Sequence, residues 1–256
     1  MVLYFVQKGA GAVGEVIAVL SGKGGTGKTS VCAGLATALA EAGEAVLCVD
    51  CDVGLRNLDI PLGMSDVSAL SFQDVIREGF DPEQAAQHPL YPGLRFLTAP
   101  VECTADQVDP EGFRNILRQA REHFSYVLLD APAGVDAGFR LAARYAARVI
   151  LVTGPDPAAI RDAGRIGQLL ERMDKNDVRL VVNRLTSELI SVLDITVDDI
   201  MDQAGLPLLG VVPEDPCVLL AAAKEKPLLK ATRRGAAAAC RRIAKRLAGK
   251  RVKIKL

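Results

Sequence analysis

Short apolar runs alternate with longer amphipathic stretches almost from one end of the chain to the other. The runs VIAVL (16–20), AVLCVD (45–50), LRFLTA (94–99), YVLLD (126–130), RVILVT (148–153), VRLVVN (178–183) and LLGVV (208–212) are rich in branched aliphatic residues. Several lack the polar alternation of a half-exposed strand, which is the pattern of strands covered on both faces. Helical spacing is read over 28–42, 68–78, 111–123, 158–173 and 196–204, and again over AAAACRRIAKRLAGK (236–250). Strand and helix repeated in this way predict a doubly wound α/β layer around a mostly parallel sheet. Gly43 and the Asp-Pro pairs at 81–82 and 109–110 supply the stops and turns.

No internal repeat or low-complexity linker interrupts the alternation, so a single domain is expected. Residues 2–6 form either an extra edge strand or a leader, joined to the rest by the glycine-rich QKGAGAVG (7–14). The expected organisation is therefore a leader or edge strand at 1–14, one domain at 15–248 and a short basic tail at 249–256. The final RVKIKL alternates as an edge strand would, and is read either as that or as a tail.

With 256 residues, half of them hydrophobic, the chain can bury a sizeable core. No apolar run reaches the ~18 residues of a spanning helix, and no basic segment precedes the short apolar stretch at the N-terminus, so neither a membrane span nor an export signal is expected. The six cysteines are sparse and irregularly spaced, as for reduced thiols in a cytosol. The 31 basic and 31 acidic residues cancel overall but not locally: residues 224–256 hold 13 Lys or Arg and one acid, leaving 18 basic and 30 acidic residues in 1–223. A basic C-terminus points to an anionic partner, a membrane surface or nucleic acid, unless it is merely a solvated last helix.

The stretch SGKGGTGKTS (21–30) changes this picture most. Read as G-x-x-x-x-G-K-[ST], it supplies Gly22, Gly27, Lys28 and Thr29, directly after a strand and before a helix, the setting a phosphate-binding loop requires. The glycines let backbone N–H groups surround phosphate oxygens, Lys28 can reach the outer phosphates, and the Thr29 hydroxyl can coordinate Mg²⁺. Phosphoryl transfer then needs carboxylates at strand ends to place metal and water. AVLCVDCD offers Asp50 and Asp52, and YVLLD offers Asp130. Asp130 ends a Walker B-like strand and is expected on the metal side, whereas Asp52, in the loop beyond its strand, is placed to orient a water. Each could instead be a cap or turn residue.

Cys48 and Cys51 form a C-x-x-C, yet residues three apart along a strand point to opposite faces, so core packing is expected rather than a shared ion. His88 and His123 have no partners at metal-ligand spacing and are assigned no chemistry.

The segments KGGTGKTS (23–30), VDCDVGLRNLDIPLG (49–63), DAPAGVDAG (130–138), GPDPAAIRDAGRI (154–166), VVNRL (181–185) and GVVPEDPCVLLAA (210–222) together resemble the MinD family of deviant Walker A ATPases, which position the bacterial division site. The resemblance covers about residues 15 to 248. It implies a P-loop fold with seven or eight strands, Mg²⁺ and ATP as cofactors, and a homodimer closed face to face over two nucleotides. Within it, Lys23 resembles the signature lysine that crosses to the partner's phosphates. Gly24, Gly25, Thr26, Gly27, Lys28, Thr29 and Ser30 match the loop. Asp52 matches the hydrolysis-linked aspartate of switch I, and Asp130 the metal-side aspartate of switch II. Asn57 resembles an asparagine at the dimer interface, Asn183 the residue that reads the adenine edge, and Pro213 a residue lining the base pocket. ATP rather than GTP rests on the resemblance alone.

The resemblance also implies a protein effector, a MinC-like inhibitor or an activator, and a cytoplasmic protein that attaches peripherally to the inner face of the membrane. The chain departs from it at the C-terminus, where family members usually carry a separate amphipathic helix. Here 236–250 is expected to be the last core helix, and its apolar positions Cys240, Ile243, Ala244 and Leu247 are small for an interfacial anchor, so attachment would rest on charge. The alternatives are a ParA-like DNA-partitioning ATPase, a regulator of flagellar number, and an electron-transfer ATPase resembling nitrogenase iron protein. DCDVGLRNLD in place of D-x-D-P-Q, the lack of a glutamine-rich N-terminal segment, and the lack of paired loop cysteines respectively disfavour them.

Overall fold

The computed structural model describes residues 13–194 and 196–255, so the reading of residues 2–6 lies outside the described residues. An eight-stranded sheet runs through the molecule in the order β3-β4-β2-β5-β1-β6-β7-β8. The strands are β1 (Glu15–Leu20), β2 (Val46–Asp50), β3 (Ala86–Gln87), β4 (Leu94–Leu97), β5 (Tyr126–Asp130), β6 (Arg148–Thr153), β7 (Val178–Leu185) and β8 (Leu208–Pro213). All pair in parallel except the two-residue β3, which is antiparallel to β4. The helices are α1 (Lys28–Glu41), α2 (Asp59–Leu62), α3 (Phe72–Glu78), α4 (Pro110–His123), α5 (Ala137–Tyr145), α6 (Pro157–Arg172), α7 (Ser187–Leu193), α8 (Val197–Ala204), α9 (Pro216–Ala223), α10 (Leu228–Ala231) and α11 (Gly235–Leu247).

The missing polar alternation has its expected cause, since each central strand feeds two cores. Val16, Ala18 and Leu20 of β1 face the helices α3, α4, α5, α6 and α8, while Ile17 and Val19 face α1, α2, α9, α10 and α11. Cys48 and Cys51 likewise fall into opposite cores, on the two faces of the sheet. His88 is structural: Nε2 donates to the Leu62 carbonyl at 2.8 Å and Nδ1 accepts from Leu90 N–H, a neutral ring whose pKa burial lowers. His123, which looked solitary, lies at the end of α4 with Glu83 at 3.2 Å and Asp81 at 3.8 Å.

At the C-terminus the strand alternative for RVKIKL falls away, and 236–250 packs as the last core helix, as expected. RVKIKL forms no strand over its described residues 251–255; instead Arg246 donates to the carbonyl of Val252 and holds the segment against its own helix. The stripe Cys240, Ile243, Ala244 and Leu247 faces inward, at most 5% exposed, so α11 has no apolar surface to offer a bilayer. Two of the flanking arginines are also engaged, Arg241 with Glu41 at 2.5 Å and Arg246 with the Leu209 carbonyl at 2.6 Å. No helix among the described residues is long and apolar enough to cross a membrane.

Candidate functional site

The site forms at the carboxyl ends of β1, β2 and β5, where successive connections leave the sheet in opposite directions, the place a doubly wound sheet opens a crevice. Residues 21–27 wrap around the N-terminus of α1, with Gly25 and Gly27 in the left-handed region at φ 79° and 80°. Gly27 has a second reason to lack a side chain: a Cβ there would stand 2.3 Å from Asn183 Nδ2. That amide, on β7, donates to the Thr26 carbonyl at 2.7 Å and braces the loop from the far side.

Lys28 is 6% exposed and its Nζ donates to Asp130 Oδ1 at 2.7 Å and to Thr29 Oγ1 at 3.2 Å. Burial raises the pKa of Asp130 and the ammonium of Lys28 opposes that rise. Asp50 is the register partner of Asp130 on β2, also fully buried, but its carboxylate turns to backbone. It accepts from the N–H of Asp52 at 2.9 Å, Asn57 at 3.0 Å and Leu58 at 3.1 Å, tying down both ends of the 52–58 loop. Burial, then the nearby Asp130 charge, push Asp50 up to about 6 against the pull of those three donors. Asp52 is half-buried, its pKa raised by burial, and lines a cleft of about 500 Å³ with Pro132, Asp136 and Arg140.

Beside the loop lies a second opening of about 510 Å³, edged by Lys23, Gly24, Thr26, Pro155, Arg184 and Glu214. Arg184 pairs with Glu214 at 2.6 Å and reaches the Gly25 carbonyl at 3.4 Å, clasping β7, β8 and the loop together. Pro213 is half-buried next to Glu214 without lining the opening itself. Lys23 and Asn57 are exposed, and Lys23 makes no ion pair among the described residues. Sequence reasoning thus marked Lys28, Asp52, Asp130 and Asn183 and missed the loop-fastening role of Asp50, whose signal is only its position before a turn, and the Arg184–Glu214 clasp, which has none.

The residues fit a nucleotide's phosphate chain with its metal. The Thr26 hydroxyl is buried with no partner among the described residues, Gly24 and Gly25 leave open space where Cβ atoms would be, and Lys28, Thr29 and Asp130 converge as cation, hydroxyl and carboxylate.

Comparison with known proteins agrees with this geometry. Residues 17–228 match the model of the CobQ/CobB/MinD/ParA nucleotide binding domain. The septum site-determining protein MinD of Synechocystis is 37% identical over 217 residues, covering 84% of this chain and 82% of the relative. The MinC:MinD cell division protein complex of Aquifex aeolicus contains a chain that superposes with a TM-score of 0.87 at 32% identity, covering 94% of this chain and 98% of that one. The Pyrococcus horikoshii MinD complexed with Mg-ADP superposes with a TM-score of 0.79 at 28% identity over 91% and 95% of the two chains. With a phosphate-binding loop, two strand-end carboxylates and this likeness along nearly its whole length, the chain belongs to the MinD family within the CobQ/CobB/MinD/ParA nucleotide-binding proteins.

Proposed function

We propose that the protein hydrolyses ATP with Mg²⁺ and uses the cycle to place the bacterial division site, closing into a homodimer with ATP and reverting to a monomer after hydrolysis. The observation that carries this reading is the contrast between the two lysines of one loop. Lys28 is buried against Asp130 and Thr29, whereas Lys23 is exposed at the rim of the same cradle with no side-chain partner among the described residues. A cation held outside its own site suits phosphates presented by a second subunit, where it acts as an arginine finger does and makes hydrolysis depend on assembly.

In this reading Gly24, Gly25, Thr26 and Gly27 surround the phosphates with the N–H groups of Lys28, Thr29 and Ser30. The Thr29 hydroxyl and the Asp130 carboxylate are the groups that would hold Mg²⁺, which would neutralise charge developing on the phosphates. Asp52 orients the attacking water, and its raised pKa makes it a better proton acceptor than an ordinary carboxylate. One edge of the Asn183 amide is spent on Thr26, so the other is left for adenine, with Pro213 beside the base. Lys23 and Asn57 face the partner. Exposed Leu55 and Val135 on the surrounding loops, at 69% and 42%, and Leu219 on α9, at 75%, supply apolar contact. A MinC-like effector is the expected protein partner, since the Aquifex relative occurs in a MinC:MinD complex. The basic C-terminus gives the dimer a charge-based hold on anionic lipid, doubled by avidity.

The test is light scattering and turnover with Mg-ATP. Lys23→Ala should bind ATP yet lose dimer and turnover; an unchanged dimer that still turns over would remove the trans role. Co-sedimentation with anionic liposomes and with duplex DNA, each with ATP, ADP or neither, checks the cellular reading. Lipid binding that appears only with ATP supports it, and salt-sensitive DNA binding without a lipid response points to partitioning instead.

A further inference from the structure

Away from the phosphate loop, a cavity of about 240 Å³ opens between the 52–58 loop, the start of α3 and the segment after β4. Two buried polar side chains on its wall have no hydrogen-bond partner among the described residues: Thr98 Oγ1, on a residue 4% exposed, and Gln73 Oε1, on a residue 9% exposed. Buried polar groups without partners are rare, and two in one cavity point to something that fills it. A half-turn of the Gln73 carboxamide presents Nε2 in place of Oε1, so both side chains can act as donors.

The charged groups around them divide unevenly. Arg77 lines the cavity and makes no ion pair among the described residues, and Arg56 reaches it from the loop, its Nε 3.3 Å from Asp59 without hydrogen-bond geometry. Of the two acids on the wall, Asp74 is spent on the N–H and hydroxyl of Ser71 at 2.8 and 2.7 Å, and Glu102 is exposed. The buried wall is therefore lined by the convertible donors Thr98 and Gln73, with half-buried Arg56 and exposed Arg77 as cations at the rim and Glu102 in solvent. The volume is below the ~300 Å³ at which pockets for whole small molecules begin, so one small head group fits it.

We propose that this cavity binds a small oxyanion, through Arg56, Arg77, Thr98 and Gln73, and that its occupancy is felt by the catalytic loop. The connection is short: Arg56 N–H donates to the Asp52 carbonyl at 3.3 Å, and Gly54 N–H donates to the Pro100 carbonyl on the cavity's other wall at 3.2 Å. An anion drawing Arg56 inward pulls on the backbone that carries Asp52. The oxyanion comes either from solution, as free phosphate, or from an acidic side chain of a protein partner, and the two sources share the same recognition.

The test follows backbone amide NMR shifts of protein saturated with Mg-ADP, titrated with inorganic phosphate and, separately, with acetate as the stand-in for an acidic side chain. Saturable shifts at Gln73, Ala99 and Val101, with Arg56 moving in step, are expected, and Arg77→Ala should weaken the binding about tenfold. Thr98→Val, nearly isosteric, separates lost recognition from lost fold and should also weaken it. Saturation with phosphate alone assigns a free anion, and saturation with both admits a side-chain carboxylate. If neither anion saturates, or if both variants respond as the wild type does, the cavity holds only water and the proposal fails.

Discussion

Asp50 and Asp130 sit side by side at the ends of β2 and β5, and they are committed to different partners: Asp130 to the ammonium of Lys28, Asp50 to three backbone N–H groups of the loop that follows it. Two carboxylates buried next to each other cannot both be cheaply ionised. Lys28 resolves the conflict for Asp130, and hydrogen bonding resolves it only in part for Asp50.

The side-chain carboxyl of Asp50 should therefore titrate near pH 6 by NMR. The native state keeps this proton to a higher pH than the unfolded chain, whose carboxylates ionise near ~4. The resulting contribution to stability is full below about pH 4 and is gone once pH has risen through about 6. Asp130→Asn removes the like charge and should move the midpoint down. Titration of the wild type in the ordinary carboxylate range would contradict the buried pair.

Lys28→Met should destabilise the fold by about 3 kcal/mol, because it strands a buried carboxylate. Adding Asp130→Asn should recover most of that loss in a denaturant melt without restoring nucleotide binding. Recovery of binding in the double variant would show that Lys28 serves the fold alone.

Gly27→Ala should cost about 1–3 kcal/mol and abolish nucleotide binding, since it meets both a φ of 80° and the Asn183 amide. Gly24→Ala meets no atom within 4 Å and should melt as the wild type does. In Gly27→Ala combined with Asn183→Ala, only the steric part should return. Equal melting temperatures for the two single variants would disprove the loop geometry.

Asp52→Ala should keep ATP affinity and lose hydrolysis, accumulating dimer in light scattering. Loss of affinity would instead give Asp52 a structural role.

If lipid attachment is purely electrostatic, replacing exposed Lys250, Lys253 and Lys255 by Glu should abolish co-sedimentation with anionic liposomes and leave turnover unchanged. Raising salt well above the physiological ~0.15 M, toward ~1 M, should release the wild type as well. Salt-resistant binding would require an apolar anchor, which α11 does not provide.

The strands were legible because burial on both faces leaves a plain mark: YVLLD and RVILVT match β5 and β6 residue for residue. Boundaries failed where side chains rather than periodicity decide them. The helix read over 68–78 begins only at Phe72, because Ser71 and Asp74 form a reciprocal cap. The strand read to residue 99 ends at Leu97, because Thr98 bridges only Ser71. α5 is amphipathic but only nine residues long and follows a Gly- and Pro-rich segment, whereas α9 carries almost no polar face to mark it. In the site, motif residues were readable because their spacing is local. The contacts of Lys28 with Asp130 and Asn183 with Thr26 span 102 and 157 positions, and only the folded sheet brings them together.

The Lys28–Asp130 contact also makes two guests dependent on each other. Whatever draws the lysine toward phosphate leaves a carboxylate buried without its cation, a debt that a divalent ion on the same side can settle. Until then the ammonium occupies the ion's place electrostatically. The metal should therefore bind poorly alone and tightly alongside phosphate, a thermodynamic interlock that keeps the site from filling with half of its cargo.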